Sequence, residues 1–481
     1  MSSSLPLKPT PPSVVSRTSP VGEAGAATRR RYAMIGVGAR SQMYQDAMQG
    51  LYQEHANLVA LCDRNPGRLE LARQRSRENG AFVPPGYKPE DLERMIAETK
   101  PEVIFVLSID ESHDDYIIRA MEAGCDVITE KPMTTSPEKC RRILETRART
   151  GRSCRVTFNY RYSPPRTQVK DILMSGEIGD VLSVDFHWML DTIHGADYFR
   201  RWHGYKENSG GLMVHKATHH FDLVNWWLSA MPVTVTATGK RQYYTPEMAK
   251  RMGLSSYHER CHTCPETSKC SFFLDMEGKP SLKRLYLEQE EHDGYQRDLC
   301  VFRPDLEIED TMNVIVGYDT GATLCYSLNT FNAWEGYTIA FNGTKGRLEH
   351  TMVEQIYISG SGGVQGGIKE GGITLRMIPM RGPAHEIEPW KAEGGHGGGD
   401  IVLLRDLFLP NAPFDKYQRA ADHRAGASSI LVGLAANRCF ETGKTTAISE
   451  LVPHLERPDF APMPSATAPI PMPPATTILS G

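Results

Sequence analysis

Three clusters in this 481-residue chain have side chains of the type and spacing that do chemistry. The first is Glu130-Lys131-Pro132, directly after the short apolar run Val127-Ile128. On a plain surface these would be charges beside a turn. Proline biases the residue before it toward an extended conformation, so Lys131 should project from the strand end. The second is His215 and His219, four apart and therefore on one helix face. Such a pair can ligate zinc, but a zinc protease needs Glu directly after the first His, and Lys216 stands there. The third is Cys261, Cys264, Cys270 and Cys300. A CxxC with two more thiols can close a tetrahedral zinc site or hold an iron–sulfur cluster. Four protein ligands would leave no open position, which makes such a site structural.

The elements around Glu130-Lys131 decide what it faces. "RYAMIGVGARSQMYQDAMQGLY" reads as a strand, a glycine turn and a helix. Gly36 permits the tight turn, and Gly38 lets a pyrophosphate approach the helix N-terminus. Ser41 stands where this fingerprint usually has its third Gly or Ala. "NLVALCDRNPGRLE" is a second strand, ending in Asp63, which is placed to accept hydrogen bonds from an adenosine ribose. Asp63 favours NAD by repelling a 2′-phosphate; Arg64, next to it, could pair with one and keeps NADP open. Two further strands come next, one ending at Ser108 and Asp110, the other at Glu130. Strands alternating with helices imply a doubly wound parallel sheet, and ligands bind at the carboxyl ends of its strands.

With "GVGARS", "LCDRNPGRLE", a strand followed by His113, and "EKP" in this order, residues 31–445 resemble the Gfo/Idh/MocA family of NAD(P)-dependent oxidoreductases. The resemblance implies that Lys131 assists proton and hydride transfer at the substrate and that Glu130 helps hold the nicotinamide ribose. Lys131 then has a physical rationale. Oxidising an alcohol removes a proton as well as a hydride, and a desolvated lysine has its pKa lowered toward the working range of a base. His113 is carried over as part of the cofactor site.

The resemblance also implies a second domain with an open-faced, mostly antiparallel sheet, helices on one side. The alternation in "VLSVDFHWML" and "MNVIVGYDTGATLCYSLNTF" suits strands with one covered face. The family pattern Asp-x-Gly-x-His-x-x-Asp is met at His219 and Asp222, but His215 replaces the first Asp and Ala217 the Gly. A histidine can act as base or hydrogen-bond partner without a carboxylate's fixed charge. Tyr160 and Arg161, Arg201, Trp202 and His203, and His396 in the glycine-rich "EGGHGGGD" are further candidates to line a sugar site. Each also has a reading as plain surface packing.

These readings divide the chain into a disordered tail (1–29), a Rossmann NAD-binding domain (30–153), a substrate and oligomerisation domain (154–455) and a Pro-rich disordered tail (456–481). Residues 240–305 read as a Cys-rich insertion. A net charge of −4 provides no footprint for nucleic acid, and no apolar run approaches the ~20 residues of a membrane span. Arg29–Arg31 resemble a twin-arginine signal, but the adjoining stretch "YAMIGVGARSQ" is too short and glycine-rich for its apolar core. Scattered single cysteines such as Cys62, Cys125, Cys325 and Cys439 fit reduced thiols in the cytoplasm. The open sheet implies a homodimer or homotetramer. The expected function is an NAD(P)-dependent dehydrogenase of a sugar, polyol or glycoside hydroxyl, with Lys131 and His219 assisting proton transfer and His215 as an additional base or orienter. Two alternatives stay open: a glycoside hydrolase or lyase that recycles NAD through transient oxidation, and a non-enzymatic cofactor-binding regulator, against which the intact Lys131 argues.

Overall fold

A computed structural model describes residues 29–356, 372–393, 396–410 and 412–464. The expected tails at 1–28 and 465–481 lie outside these residues. The first sheet is built from β1 (Arg30–Ile35), β2 (Ala56–Cys62), β3 (Gly86–Tyr87), β4 (Val103–Val106), β5 (Asp126–Thr129) and β6 (Cys154–Val156). These six are parallel in the order β6-β5-β4-β1-β2-β3. β4 is buried along its whole length, as an apolar strand covered on both faces must be. Among the intervening helices are α1 (Ser41–Gln49) and α2 (Pro66–Glu78). Asn65 caps α2 by accepting from the Arg68 amide, and Pro66 occupies the first turn, where its missing N–H costs nothing.

The second sheet holds β7 (Val181–Asp191), β8 (Pro232–Lys240), β9 (Thr311–Tyr318), β10 (Thr323–Asn332), β11 (Trp334–Gly343), β12 (Gly346–Ile356), β13 (Ile373–Pro379) and β14 (His385–Glu386). β15 (Ala421–Asp422) joins the first sheet and β16 (Thr446–Ala447) the second. The second sheet runs β14-β13-β12-β11-β7-β10-β9-β8-β16, antiparallel except between β7 and β10. Alternation sorts its faces: Phe186, Trp188, Tyr326 and Leu328 are buried under helices, while His187, Thr323 and Cys325 are exposed on the other side. The helix Thr218–Leu228 (THHFDLVNWWL) is buried at every residue, its polar side chains included. No helix among the described residues is long and apolar enough to cross a membrane.

Two expected boundaries move. β6 pairs with β5 through Val127↔Cys154, so the first domain continues past residue 153. β15 pairs antiparallel with β6, and the chain returns to the edge of the first sheet late in the sequence. Residues 456–464, expected in a disordered tail, lie on the fold. Ala461 is buried, and its carbonyl accepts from Ser229 Oγ at 2.6 Å. The apolar residues of this segment cover Lys170, whose Nζ donates to the Trp226 and Trp227 carbonyls at 2.8 and 3.2 Å and reaches Met463 Sδ at 3.4 Å. Lys170 therefore caps the carboxyl end of the helix that carries His219. Lys170→Met should strand those buried carbonyls and cost about 1–3 kcal/mol of unfolding free energy in a urea titration.

Candidate active site

The glycine turn forms a cradle at the carboxyl edge of the first sheet. Gly36 has φ +88°, and a Cβ on it would lie 2.6 Å from the Leu107 carbonyl, so the turn requires glycine. The Val37 amide donates to Asp63 Oδ2 at 2.8 Å, which joins the ends of β1 and β2. Asp63 Oδ1 accepts from the Asn65 amide at 2.8 Å. Ser41 Oγ donates to the Gly38 carbonyl at 2.7 Å and braces the turn from below. A Cβ on Gly38, in contrast, would meet nothing within 4 Å. The protein needs no glycine there for its own packing; the open space is where a large group can come close to the backbone. With α1 free of a side-chain cap, the cradle fits a dinucleotide pyrophosphate.

The neighbouring strand ends carry the reactive groups. Glu130 is buried, and its Oε1 accepts from Arg40 Nε at 2.6 Å and Tyr44 OH at 2.7 Å. Burial pushes the Glu130 carboxyl up, but Arg40 and Tyr44 outweigh it and hold it below the usual carboxylate range. His113, expected at the cofactor, is a bracket beneath it. Its Nδ1 lies 2.9 Å from the Pro132 carbonyl and its Nε2 3.1 Å from that of Ser108, so the ring sits between the ends of β4 and β5 and, kept neutral by burial, donates to one of the two. The Ser108 hydroxyl accepts from Ser112 Oγ at 2.8 Å.

Lys131 Nζ donates to the His215 carbonyl at 2.9 Å, and His215 Nδ1 lies 2.5 Å from Asp110 Oδ2. All three groups are withdrawn from water. Burial brings Lys131 down to about 8, against the pull of Asp110 and Glu130. Burial drives His215 far below its ordinary value, aided by the Lys131 charge, and drives Asp110 well up. His215 is thus neutral; donation from its Nδ1 to Asp110 leaves Nε2 as an acceptor. His203 packs edge-on to His215 at 4.2 Å, and Trp202 stacks on His203 at 3.6 Å. Among the described residues, His203 Nδ1 is buried without a hydrogen-bond partner. Beside them, the buried Glu335 carboxylate meets His194 Nδ1 at 2.9 Å and Lys216 Nζ at 3.5 Å, while Tyr198 OH meets His194 Nε2 at 2.8 Å.

Asp110, His194, Tyr198, His203 and Glu335 form much of this cluster, and of these the sequence pointed to His203 alone as a candidate to line the site. Asp110 carried a signal, since it sits at the end of β4 on the ligand edge. Glu335 carried none: it comes from β11, 119 residues beyond Lys216.

Several expected contacts are corrected. Arg161 does not face a ligand: it makes a bidentate ion pair with Asp222 at 2.7 and 2.6 Å, and both side chains are about 98% buried or more. Tyr160 is also in the core, stacked on His219 at 4.3 Å with the Arg166 guanidinium 4.1 Å from its ring. Arg201 is held by Asp197 at 3.5 Å and Tyr295 OH at 3.2 Å, close to Trp202. Arg64 pairs with Asp293 at 3.6 Å. The side chain of His396 lies outside the described residues.

Cys261, Cys264, Cys270 and Cys300 line one small pocket in the insertion, all as free thiols. Zinc is not supported there: among the described residues, no group of three or more His, Cys, Asp and Glu is placed to hold a metal. Arg260 holds the insertion together instead, bonding Glu290 at 2.8 and 2.6 Å and Asp298 at 3.0 and 2.6 Å.

Residues 30–158 match the model of an oxidoreductase family with an NAD-binding Rossmann fold, and residues 170–448 match its C-terminal α/β domain. The chain belongs to the Gfo/Idh/MocA oxidoreductase family. YteT, named as an oxidoreductase of Bacillus subtilis, is 36% identical over 416 residues, 85% of this chain and 95% of that protein. An inositol 2-dehydrogenase of Rhizobium meliloti is 27% identical over 208 residues, 43% of this chain and 58% of that one. An aldose–aldose oxidoreductase from Caulobacter crescentus, solved with glycerol, shares the fold with TM-score 0.57 and 17% identity, covering 87% of this chain and 99% of that one. This Gfo/Idh/MocA protein thus has the NAD-binding domain and α/β partner domain expected of its family.

Two substitutions separate cofactor contact from packing. Gly38→Ala should leave the thermal midpoint unchanged, because its methyl meets no protein atom, yet weaken NADH binding by about tenfold in a fluorescence titration. Arg161→Ala should cost about 3–5 kcal/mol in urea unfolding, because it strands a buried carboxylate.

Proposed function

We propose that this protein is an NAD-dependent dehydrogenase acting on a hydroxyl of a sugar, polyol or glycoside. The observation that carries the reading is the contact chain Lys131–His215–Asp110, set at the strand ends beside the glycine cradle. Gly36, Gly38, Asp63 and Glu130 would hold the dinucleotide, which supplies the hydride acceptor when bound. Lys131, neutral above about pH 8, accepts the hydroxyl proton as the hydride leaves the same carbon. Asp110 fixes the His215 tautomer so that Nε2 can accept from a second hydroxyl of the substrate while Lys131 takes the proton of the reacting one. His219 and the partnerless His203 Nδ1 supply further polar groups in the same region. Trp202 offers an apolar face suited to a sugar ring. Inositol dehydrogenase among the relatives supports a polyhydroxylated substrate.

A second reading is favoured by one feature. Residues 286–297 of the insertion bridge the start of α2 to the Asp197–Arg201 segment through Gln289, Asp293, Tyr295 and Arg297. Such a strap would retain NAD between turnovers and suit recycling of the cofactor during glycoside cleavage. The outer face of the second sheet, with Leu182 and Ile315 about half exposed, supports a dimer or tetramer formed there.

A screen of polyols, sugars and glycosides for NADH production tests the first reading. NAD(H) found in the denatured protein, with turnover that needs none added, would establish the second. In either case Lys131→Met should bind NADH normally but lose about 10²–10⁴-fold in turnover. The kcat/KM for oxidation should rise with pH through about 8, because only the neutral amine accepts a proton. Asp110→Asn should move that rise to lower pH, since Asp110 holds the Lys131 pKa up.

A further inference from the structure

Four residues that follow Asp63 are gripped by the insertion. Asn65, fully buried, donates from Nδ2 to the Gln289 carbonyl at 3.0 Å. Gly67 lies so close to the insertion that a Cβ on it would be 1.7 Å from Gln289 Oε1. Arg64 and Arg68 both pair with one carboxylate, Asp293; Arg64 Nε is 3.6 Å away. The Asp293 side chain is itself 94% buried, and its Oδ1 also accepts from the Tyr295 amide at 3.2 Å. The place matters because the end of β2 is where a Rossmann site meets the adenosine ribose. An arginine there accommodates the 2′-phosphate of NADP, and Arg64 is the residue in position to do so.

We propose that Asp293, contributed from 230 residues away in sequence, sets the cofactor preference by occupying Arg64 and Arg68 and so excluding a 2′-phosphate. The inference rests on the dinucleotide reading of the cradle. One carboxylate on two guanidiniums leaves the Arg64–Arg68–Asp293 trio with a single positive charge, which Asp63 cancels. A dianionic phosphate placed there finds no net positive charge and must take Arg64 from Asp293. The ribose hydroxyls of NAD need only the Asp63 carboxylate. The Arg64 guanidinium is more than half exposed, so it can swing to a phosphate once its partner is lost.

The test is calorimetric binding of NADH and of NADPH to the full chain. The wild type should bind NADPH more weakly than NADH. Asp293→Asn should tighten NADPH by about tenfold, the worth of one charge-assisted contact, while NADH stays within about twofold. Arg64→Ala should change neither affinity in the wild type, but should erase the gain in the Asp293→Asn background. NADPH affinity unmoved by Asp293→Asn, with NADH binding intact, overturns the proposal. So does an Arg64→Ala single variant that weakens NADPH. If Asp293→Asn releases the insertion and loses NADH, Arg68→Met decides. It leaves Arg64 as the one guanidinium on Asp293 and should weaken NADPH further; unchanged or improved NADPH binding overturns the proposal. Wild type that binds NADPH as tightly as NADH overturns it as well, while leaving the dinucleotide reading in place. Wild type that binds neither nucleotide overturns that reading too.

Discussion

A lysine amine taken out of water at the end of β5 is the constraint around which the site is arranged. An isolated buried ammonium is too costly to keep. The fold meets that cost with the Asp110 and Glu130 charges and the His215 carbonyl, yet incompletely, so the amine sits near the pKa of a usable base. Glu130 can remain charged beside it because Arg40 and Tyr44 hold its carboxylate. His113 braces the backbone that presents both residues. Each partner comes from a different element, and the site forms only when both domains are in place.

The insertion contributes to the same end from outside the family pattern. It is poor in regular structure, and Arg260 makes it a unit by tying Glu290 and Asp298 together. One side of it holds the start of α2 and the other reaches Arg201 and Asp197. A segment read as needing a metal staple is stapled by ion pairs. Buried, hydrogen-bonded pairs of this kind can fix one geometry, although they add little net stability over apolar packing.

Legibility in the sequence followed how local each signal was. The Rossmann half was readable because its strands, glycine turn and terminal acids lie within short windows. The single helix face expected to carry His215 and His219 is split instead: one helix ends at His215 and another begins at Thr218. Arg161 was misread because nothing near it shows that Asp222, 61 residues on, would close its guanidinium in the core. Tyr160 looked suited to a sugar ring, but its neighbours in space are His219 and Arg166. The end of the first domain was drawn at a turn, whereas strand pairing carries it through β6.

The sequence by itself determined the two-domain architecture, the dinucleotide cradle and the lysine at the strand end. Those depend on residue type and on periods of a few residues. Only the tertiary structure decided which charges meet: His215 with Asp110, His194 with Glu335, Arg64 with Asp293. The reason is physical. A local pattern reports on hydrogen bonds and burial along one element, while pKa values and charge pairing depend on what other elements bring within a few ångströms after water has been excluded.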